Sequence, residues 1–176
     1  EFYIGGGKLT LLGGADGKFS AETLKAKLGD PSAASAVHHA QPAAVSISQL
    51  TEKGTAYTLD EIRAIADVAH AHGVKLHMDG ARFANAVNAL GCSPAEATWK
   101  SGVDVLSFGA TKNGAFAAEA VIFFDPALAK DFEFRRKRGG HLFSKMRFLS
   151  AQLCAYLEND NWLRYAANAN GAAKVL

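Results

Sequence analysis

The order of apolar and polar residues along the chain predicts strands and helices in turn. Segments rich in apolar and small residues at 42–48, 74–79 and 103–109 are typical of buried strands. Between the first two, apolar residues repeat at helical spacing after a capping box formed by Thr58 and Glu61. This succession of strands and helices at short spacing predicts a parallel sheet covered by helices.

Further helices are predicted from their start and stop signals. A helix is expected at 20–28, and a second capping box, Ser93 to Glu96, predicts another helix over 93–102. The C-terminal part is predicted to be helical over three segments: 126–138, 142–159 and 161–176.

The fourth predicted strand, 118–124, changes the topology of the sheet. It follows the third strand after only about eight residues, which is too short for a crossover helix, so it should run antiparallel. The predicted fold class is therefore α/β, with a central, mostly parallel sheet, one antiparallel strand and helices on both faces.

Length, composition and charge restrict the possible function classes. The chain has 176 residues, of which 49% are hydrophobic, enough for the core of one domain. A formal net charge of +2 does not indicate nucleic acid or an acidic membrane as a partner, and no apolar segment approaches the roughly 20 residues of a membrane span. Two cysteines and the lack of a signal peptide predict a cytoplasmic protein. Because the sequence starts without methionine and stops inside a predicted helix, we expect a longer chain.

Several other features favour structural roles. The glycine-rich segments at 5–7 and 13–18 lack the spacing and hydroxyl residues of nucleotide-binding loops, and no metal site is predicted because the histidines have no convergent partner. The basic segment 135–138 is typical of a helix end that complements the helix dipole, and the alternative is an anion site at a subunit interface.

Two reactive groups follow neighbouring predicted strands. Asp79 and Arg82 end or follow one strand, and Lys112 follows the next, with no charged residue within six positions on either side. Ligands collect at the carboxyl ends of parallel strands, whose tips lie roughly 5 to 10 Å apart. An amine and a carboxylate at this separation suit pyridoxal phosphate, which needs a lysine for its aldehyde and an acid for its ring nitrogen. Taken alone, Lys112 is more typical of a solvated loop. Asp79 and Arg82, taken alone, are as typical of an ion pair at a strand end or of a helix cap.

The segments HMDGARFANAV and GVDVLSFGATKNG, with Lys112 33 positions after Asp79, resemble the low-specificity threonine aldolases. These enzymes belong to the beta-eliminating lyase group and have the aspartate aminotransferase-like fold, and the resemblance runs from about residue 2 to the end. It implies that 1–176 is an incomplete part of the pyridoxal phosphate-binding large domain, with the start of the helical connection to a C-terminal small domain.

The resemblance also implies roles for individual residues. Lys112 would be the Schiff-base lysine, Asp79 the partner of the ring nitrogen, and Arg82 the ligand of the substrate carboxylate, a role that suits a planar bidentate cation. Further cofactor contacts are also expected. Ser107 and Thr111 would offer hydroxyls to the phosphate, and Gln49 would offer its amide to the phenolic oxygen of the ring. His77 would lie under the ring or against the aspartate.

The implied function is that of a pyridoxal phosphate-dependent lyase of the aldolase type. It would cleave β-hydroxy-α-amino acids, such as L-threonine or L-allo-threonine to glycine and acetaldehyde, as a homodimer or homotetramer. The alternatives are a beta-eliminating lyase of aromatic amino acids and a non-catalytic Rossmann-like fragment. Because the family's ring-stacking histidine and second carboxylate-binding arginine come from segments not found in this sequence, the chain alone is expected to be an incomplete enzyme.

Overall fold

The computed structural model describes residues 7–30 and 37–175, and most of the glycine run at 5–7 therefore lies outside the described residues. The described ranges contain one four-stranded sheet in the order β1-β2-β3-β4. Its first three strands are parallel, and β4 pairs antiparallel with β3. The strands are β1 Ala44–Ser48, β2 Lys75–Gly80, β3 Val105–Gly109 and β4 Glu119–Phe123. The predicted mixed α/β sheet is confirmed.

The α-helices of the described ranges contribute buried residues to the core, except the helix Phe132–Arg138, which has none. They are α1 Ala21–Leu28, α2 Leu59–Ala71, α3 Phe83–Leu90, α4 Phe132–Arg138, α5 Arg147–Leu157 and α6 Asn161–Ala173. None of the helices in these ranges is both long and apolar enough to cross a membrane.

The predicted caps of the first two helices form as expected. The Ser20 hydroxyl accepts a 3.2 Å hydrogen bond from the Thr23 N–H at the start of α1. At the start of α2, the Thr58 hydroxyl accepts from the Glu61 N–H, and a Glu61 carboxylate oxygen accepts from the Thr58 N–H at 2.7 Å. Each cap satisfies a backbone donor that the helix itself leaves unpaired, so the helices begin where the sequence predicts.

The helix predicted over 93–102 is wrong, although its capping box forms. The Ser93 hydroxyl accepts from the Glu96 N–H at 3.2 Å, but the backbone leaves helical geometry at Thr98, with φ −127° and ψ −108°. The Thr98 hydroxyl donates a 2.6 Å hydrogen bond to the Pro94 carbonyl, which is the kind of local bond that competes with a helix. The segment continues only as a short 3-10 turn.

The helix that connects β2 to β3 is instead α3, which the sequence analysis did not predict. Arg82 precedes α3 and supplies no side-chain cap, so the usual start signal is missing. Gly91 ends the helix in a left-handed conformation with φ 60°. The helix is held in place by the burial of Phe83, Ala84, Ala86 and Val87.

Two C-terminal helices are shorter than predicted. The segment 126–138 divides into a 3-10 turn at Pro126–Ala129 and helix α4, because Asp131 between them has non-helical φ −108° and ψ 8°. The helix predicted over 142–159 begins only at Arg147.

The sheet has one buried face and one polar face. The buried face packs against the helices through a row of apolar strand residues: Val45, Ile47, Leu76, Met78, Leu106 and Phe108. The alternate strand residues point to the other face, where they are exposed or half-buried: Ser46, Ser48, His77, Asp79 and Ser107. On that face the described helical contact is Phe132 of α4 against Phe123 of β4, with ring centroids 5.0 Å apart. Helices therefore touch both faces, but the polar face stays open beside β1, β2 and β3.

Asp104 joins β2, β3 and α2 at the amino ends of the strands. Its carboxylate accepts hydrogen bonds from the Leu76 N–H at 2.8 Å, from His70 at 2.7 Å and from Lys75 at 3.1 Å. Burial alone would raise the pKa of Asp104, but these hydrogen bonds outweigh burial and hold the pKa below its usual value.

We expect Asp104→Ala to lower the free energy of unfolding by about 1–3 kcal/mol, because the Leu76 N–H loses its partner. Since the folded-state pKa is lowered, this stabilisation is complete above the unfolded-state pKa of about 4 and is lost as pH falls through the folded-state value. Denaturation of both proteins between about pH 7 and pH 2 measures the difference. Asp67→Ala, an exposed change on α2, is the control. A difference that stays constant down to the lowest pH would contradict the assignment.

Candidate active site

The two predicted reactive groups follow neighbouring strands at the same edge of the sheet. Asp79 is the next-to-last residue of β2 and pairs in register with Ser107 of β3. Lys112 lies in the 3-10 turn Thr111–Asn113, which follows β3 directly. Because β2 and β3 are parallel, both groups lie at the carboxyl ends of their strands.

The Asp79 carboxylate is exposed on the polar face and is oriented by the main chain. Its Oδ1 accepts a 3.0 Å hydrogen bond from the Ala81 N–H. Its carbonyl accepts a 2.8 Å hydrogen bond from the Gln49 N–H, which fixes the end of β2 against the segment after β1. Oδ2 has no hydrogen-bond partner among the described residues, so one carboxylate oxygen remains for a ligand.

His77 lies on the same face as Asp79, one alternation earlier along β2. Its Nδ1 bonds the Ser46 hydroxyl at 2.8 Å and its Nε2 bonds the Ser107 hydroxyl at 2.9 Å, so the three side chains form a row across β1, β2 and β3. Burial lowers the pKa of His77, and the negative charge of Asp79 opposes that shift. The imidazole is therefore neutral at pH 7, with one nitrogen donating and the other accepting. No hydrogen bond from His77 to Asp79 is found among the described residues.

The Lys112 side chain is exposed, and within the described residues its amine has neither a hydrogen bond nor an ion pair. The hydroxyl of the preceding residue, Thr111, accepts a 3.2 Å hydrogen bond from the Ala118 N–H, which closes the base of the turn. The amine therefore extends from a hydrogen-bonded loop and forms no ion pair with a described neighbour.

The expected contact between Gln49 and a cofactor ring is contradicted by the structure. Gln49 is 0% exposed, and the nitrogen and the oxygen of its amide each hydrogen-bond the main chain of Tyr57. Nε2 donates to the Tyr57 carbonyl at 2.8 Å, and Oε1 accepts from the Tyr57 N–H at 2.9 Å. Gln49 therefore ties the segment after β1 to the segment before α2, and moving the amide would leave buried polar groups unpaired.

Arg82 precedes α3, three residues after Asp79. Its guanidinium is half-buried and lies 3.9 Å from a carboxylate oxygen of Glu52, whose side chain is 78% exposed. An ion pair this long and this exposed contributes little stability. The guanidinium therefore remains available to a carboxylate ligand.

Two glycines at the strand ends are part of the site and were not singled out from the sequence. A Cβ on Gly80 would lie 2.7 Å from the Ser107 carbonyl oxygen, and a Cβ on Gly109 would lie 2.8 Å from the Cα of Ala81. Side chains at either position would force the ends of β2 and β3 apart. The sequence signal was a glycine directly after the predicted strand 74–79, in HMDG, and one at the last position of the predicted strand 103–109, in LSFG.

An apolar groove in the described part of the molecule lies away from the strand ends. It has a volume of about 350 Å³ and an almost wholly apolar lining that includes Phe83, Leu106, Ile122 and Leu157. No titratable side chain lines it, so the chemistry points to the strand ends and not to this groove.

Comparisons with known proteins place the chain in a family and a fold. The profile of the family described as beta-eliminating lyase matches residues 1–175. Low specificity L-threonine aldolases from Pseudomonas aeruginosa and from a Pseudomonas species are 47% and 46% identical to this chain over its full length. The chain spans 50% of each of these relatives. A threonine aldolase structure from Leishmania major superposes with a TM-score of 0.88 at 28% identity, covering 98% of this chain and 49% of that one.

Proposed function

The chain belongs to the beta-eliminating lyase family, and from this premise we propose that it holds pyridoxal phosphate in an enzyme that cleaves β-hydroxy-α-amino acids. The observation that carries the proposal is that Lys112, whose amine has no partner among the described residues, and the oriented Asp79 carboxylate lie at the ends of neighbouring strands. The names of the relatives support a threonine aldolase, and this chain spans half of their length.

The donor set fits the proposed cofactor. Lys112 would supply a primary amine for the aldehyde carbon, and Asp79 has one carboxylate oxygen free among the described residues to accept a hydrogen bond from a protonated ring nitrogen. When bound, pyridoxal phosphate supplies an electron sink for charge that develops at the α-carbon of an amino acid.

The named site residues have separate roles. Asp79 keeps the ring nitrogen protonated, because a nearby negative charge favours the charged form of its partner. Arg82 orients the substrate by binding its carboxylate through two parallel hydrogen bonds. His77 stays neutral between the hydroxyls of Ser46 and Ser107. The negative charge of Asp79 is therefore not offset by a protonated imidazole on that part of the polar face. Ser107 and Thr111 offer hydroxyls for the phosphate, although each already bonds a neighbour.

The proposed substrates are L-threonine and L-allo-threonine, split into glycine and acetaldehyde. We also propose that 1–176 belongs to the large domain, with α5 and α6 leading toward a small domain, and that the complete protein is a homodimer or homotetramer. An aromatic amino acid substrate is the competing outcome, and it is separated by assaying threonine and phenylserine beside tyrosine and tryptophan.

Reductive labelling tests the cofactor directly. The chain is incubated with pyridoxal phosphate, reduced with borohydride, digested and mapped by mass spectrometry. A pyridoxyl group on the peptide that contains Lys112 supports the proposal. If neither this chain nor a longer protein that contains it carries the label, the lyase assignment is wrong.

Arg82→Lys should raise the substrate concentration needed for half-maximal rate by about tenfold to a hundredfold, because lysine cannot form the bidentate pair. Turnover at saturation should change much less, since the carboxylate keeps its charge while the bond between the α- and β-carbons breaks. Steady-state kinetics with L-threonine measures both quantities. Arg63→Lys, on the exposed side of α2, is the matched control. A fall in turnover with unchanged half-saturation would contradict this role.

A further inference from the structure

The turn that carries Lys112 is held by the two C-terminal helices through a buried side chain. Asn113 is 8% exposed, and its amide nitrogen donates to the Tyr156 hydroxyl at 2.7 Å and to the Trp162 carbonyl at 2.8 Å. Tyr156 belongs to α5, and Trp162 is the second residue of α6. One amide thus uses both of its N–H groups to join the turn to two helices.

A second contact from α5 holds the rest of the loop. The Gln152 Oε1 accepts from the Phe116 N–H at 2.9 Å and from the Ala117 N–H at 3.1 Å. Gly114, with φ 110°, lets the backbone pass beside the ring of Tyr165, to which an added Cβ would come within 3.2 Å. The loop is therefore tied to α5 and α6 before and after this glycine.

The anchor restricts the direction of the lysine. Thr111–Asn113 is a 3-10 turn, in which successive side chains point about 120° apart. Because Asn113 points inward to α5 and α6, Lys112 is directed away from them toward solvent. A side chain that must reach a cofactor aldehyde at a fixed angle depends on such a constraint, since displacements of about 1 Å at a reacting group can cost about 100-fold in rate.

We propose that Asn113, anchored by Tyr156 and the Trp162 carbonyl, is the positioning residue for Lys112. The inference rests on the proposed function, in that Lys112 is taken as the cofactor lysine. It also assigns a role to α5 and α6: these helices hold the reactive loop through the Tyr156 hydroxyl and the Trp162 carbonyl.

The test compares three variants of the full chain. Asn113→Asp replaces a donor with an acceptor that faces the Trp162 carbonyl, and Tyr156→Phe removes one acceptor while keeping the ring. The matched control is Asn170→Asp, because the Asn170 amide nitrogen also donates two hydrogen bonds, one of them to a main-chain carbonyl, but it joins α6 to α3.

Two measurements are made on each protein. Hydrogen exchange of the peptide spanning 110–118 reports the order of the loop without any cofactor, and borohydride labelling reports the share of pyridoxyl groups on Lys112 relative to the other lysines. In Asn113→Asp, loop exchange should accelerate, and the Lys112 share should fall by about 10- to 100-fold. Tyr156→Phe should show smaller changes in the same direction, and the control should change neither.

The outcomes separate this inference from the proposed function. Absence of label on Lys112, both in the wild-type chain and in a longer protein that contains it, overturns the cofactor assignment, whatever the variants do. Loop exchange in Asn113→Asp that matches the control overturns the positioning role, with or without label. Faster loop exchange with an undiminished Lys112 share also overturns it, because the anchor would then order the loop without aiming the amine.

Discussion

Lys112→Ala is expected to abolish covalent retention of pyridoxal phosphate and to lower any lyase activity by about 10³-fold or more, since no other group replaces a lost covalent catalyst. Lys112 is the only lysine in the loop after β3 and supplies the amine. No other described residue is assigned this role. Because the Lys112 side chain makes no described contact, the free energy of unfolding should stay within about 0.5 kcal/mol of wild type.

Lys112→Arg separates nucleophilicity from charge. Arginine keeps a positive charge at the same position, but it does not lose its proton and cannot react with the aldehyde. Absorbance of the bound cofactor and mass mapping after borohydride reduction should therefore show no label at position 112 in either variant. Lys130→Ala, an exposed change outside the site, should label like wild type. Normal labelling of the Lys112→Ala protein at another lysine would show that the cofactor lysine has been misassigned.

The helix predictions succeeded where the start signal and the burial pattern agree. At Thr58 a capping box precedes a repeat of buried residues, and α2 forms as predicted. At Ser93 the same box forms, but the Thr98 hydroxyl bonds the backbone and the helix does not continue. Helix α3 shows the opposite case, because it has no side-chain cap and is stabilised by tertiary packing, which local sequence signals do not reveal.

The site was predictable to the extent that it depends on strand periodicity. Alternation along β2 places His77 and Asp79 on one face, and the short link to β4 places Lys112 in a tight loop at the end of β3. The amide of Gln49 could not be placed in this way, because its partner is the main chain of Tyr57 in a segment without regular structure. The same holds for Asn113, whose partners are contributed by helices more than 40 positions later in the chain.

Asp79→Asn should weaken cofactor function while leaving the fold intact. The amide oxygen can still accept from the Ala81 N–H, so the end of β2 keeps its hydrogen bond. The negative charge is lost, and a nearby opposite charge shifts a pKa by about 1–3 units, so the ring nitrogen loses its proton and the rate of bond cleavage at the α-carbon falls by about 10- to 10³-fold. Lys112 should still take the borohydride label, because the amine and its loop are unchanged.

The retained label makes this variant informative. Acetaldehyde release from L-threonine measures cleavage, and labelling measures attachment, so Asp79→Asn should separate the two whereas Lys112→Ala removes both. Asp67→Asn makes the same chemical change on the exposed side of α2 and should alter neither. Asp79→Glu restores the charge on a longer side chain, so it should recover part of the rate if charge is the requirement. If Asp79→Asn cleaves threonine at the wild-type rate, the carboxylate does not serve the ring nitrogen, and the shared edge of β2 and β3 would need a different chemical explanation.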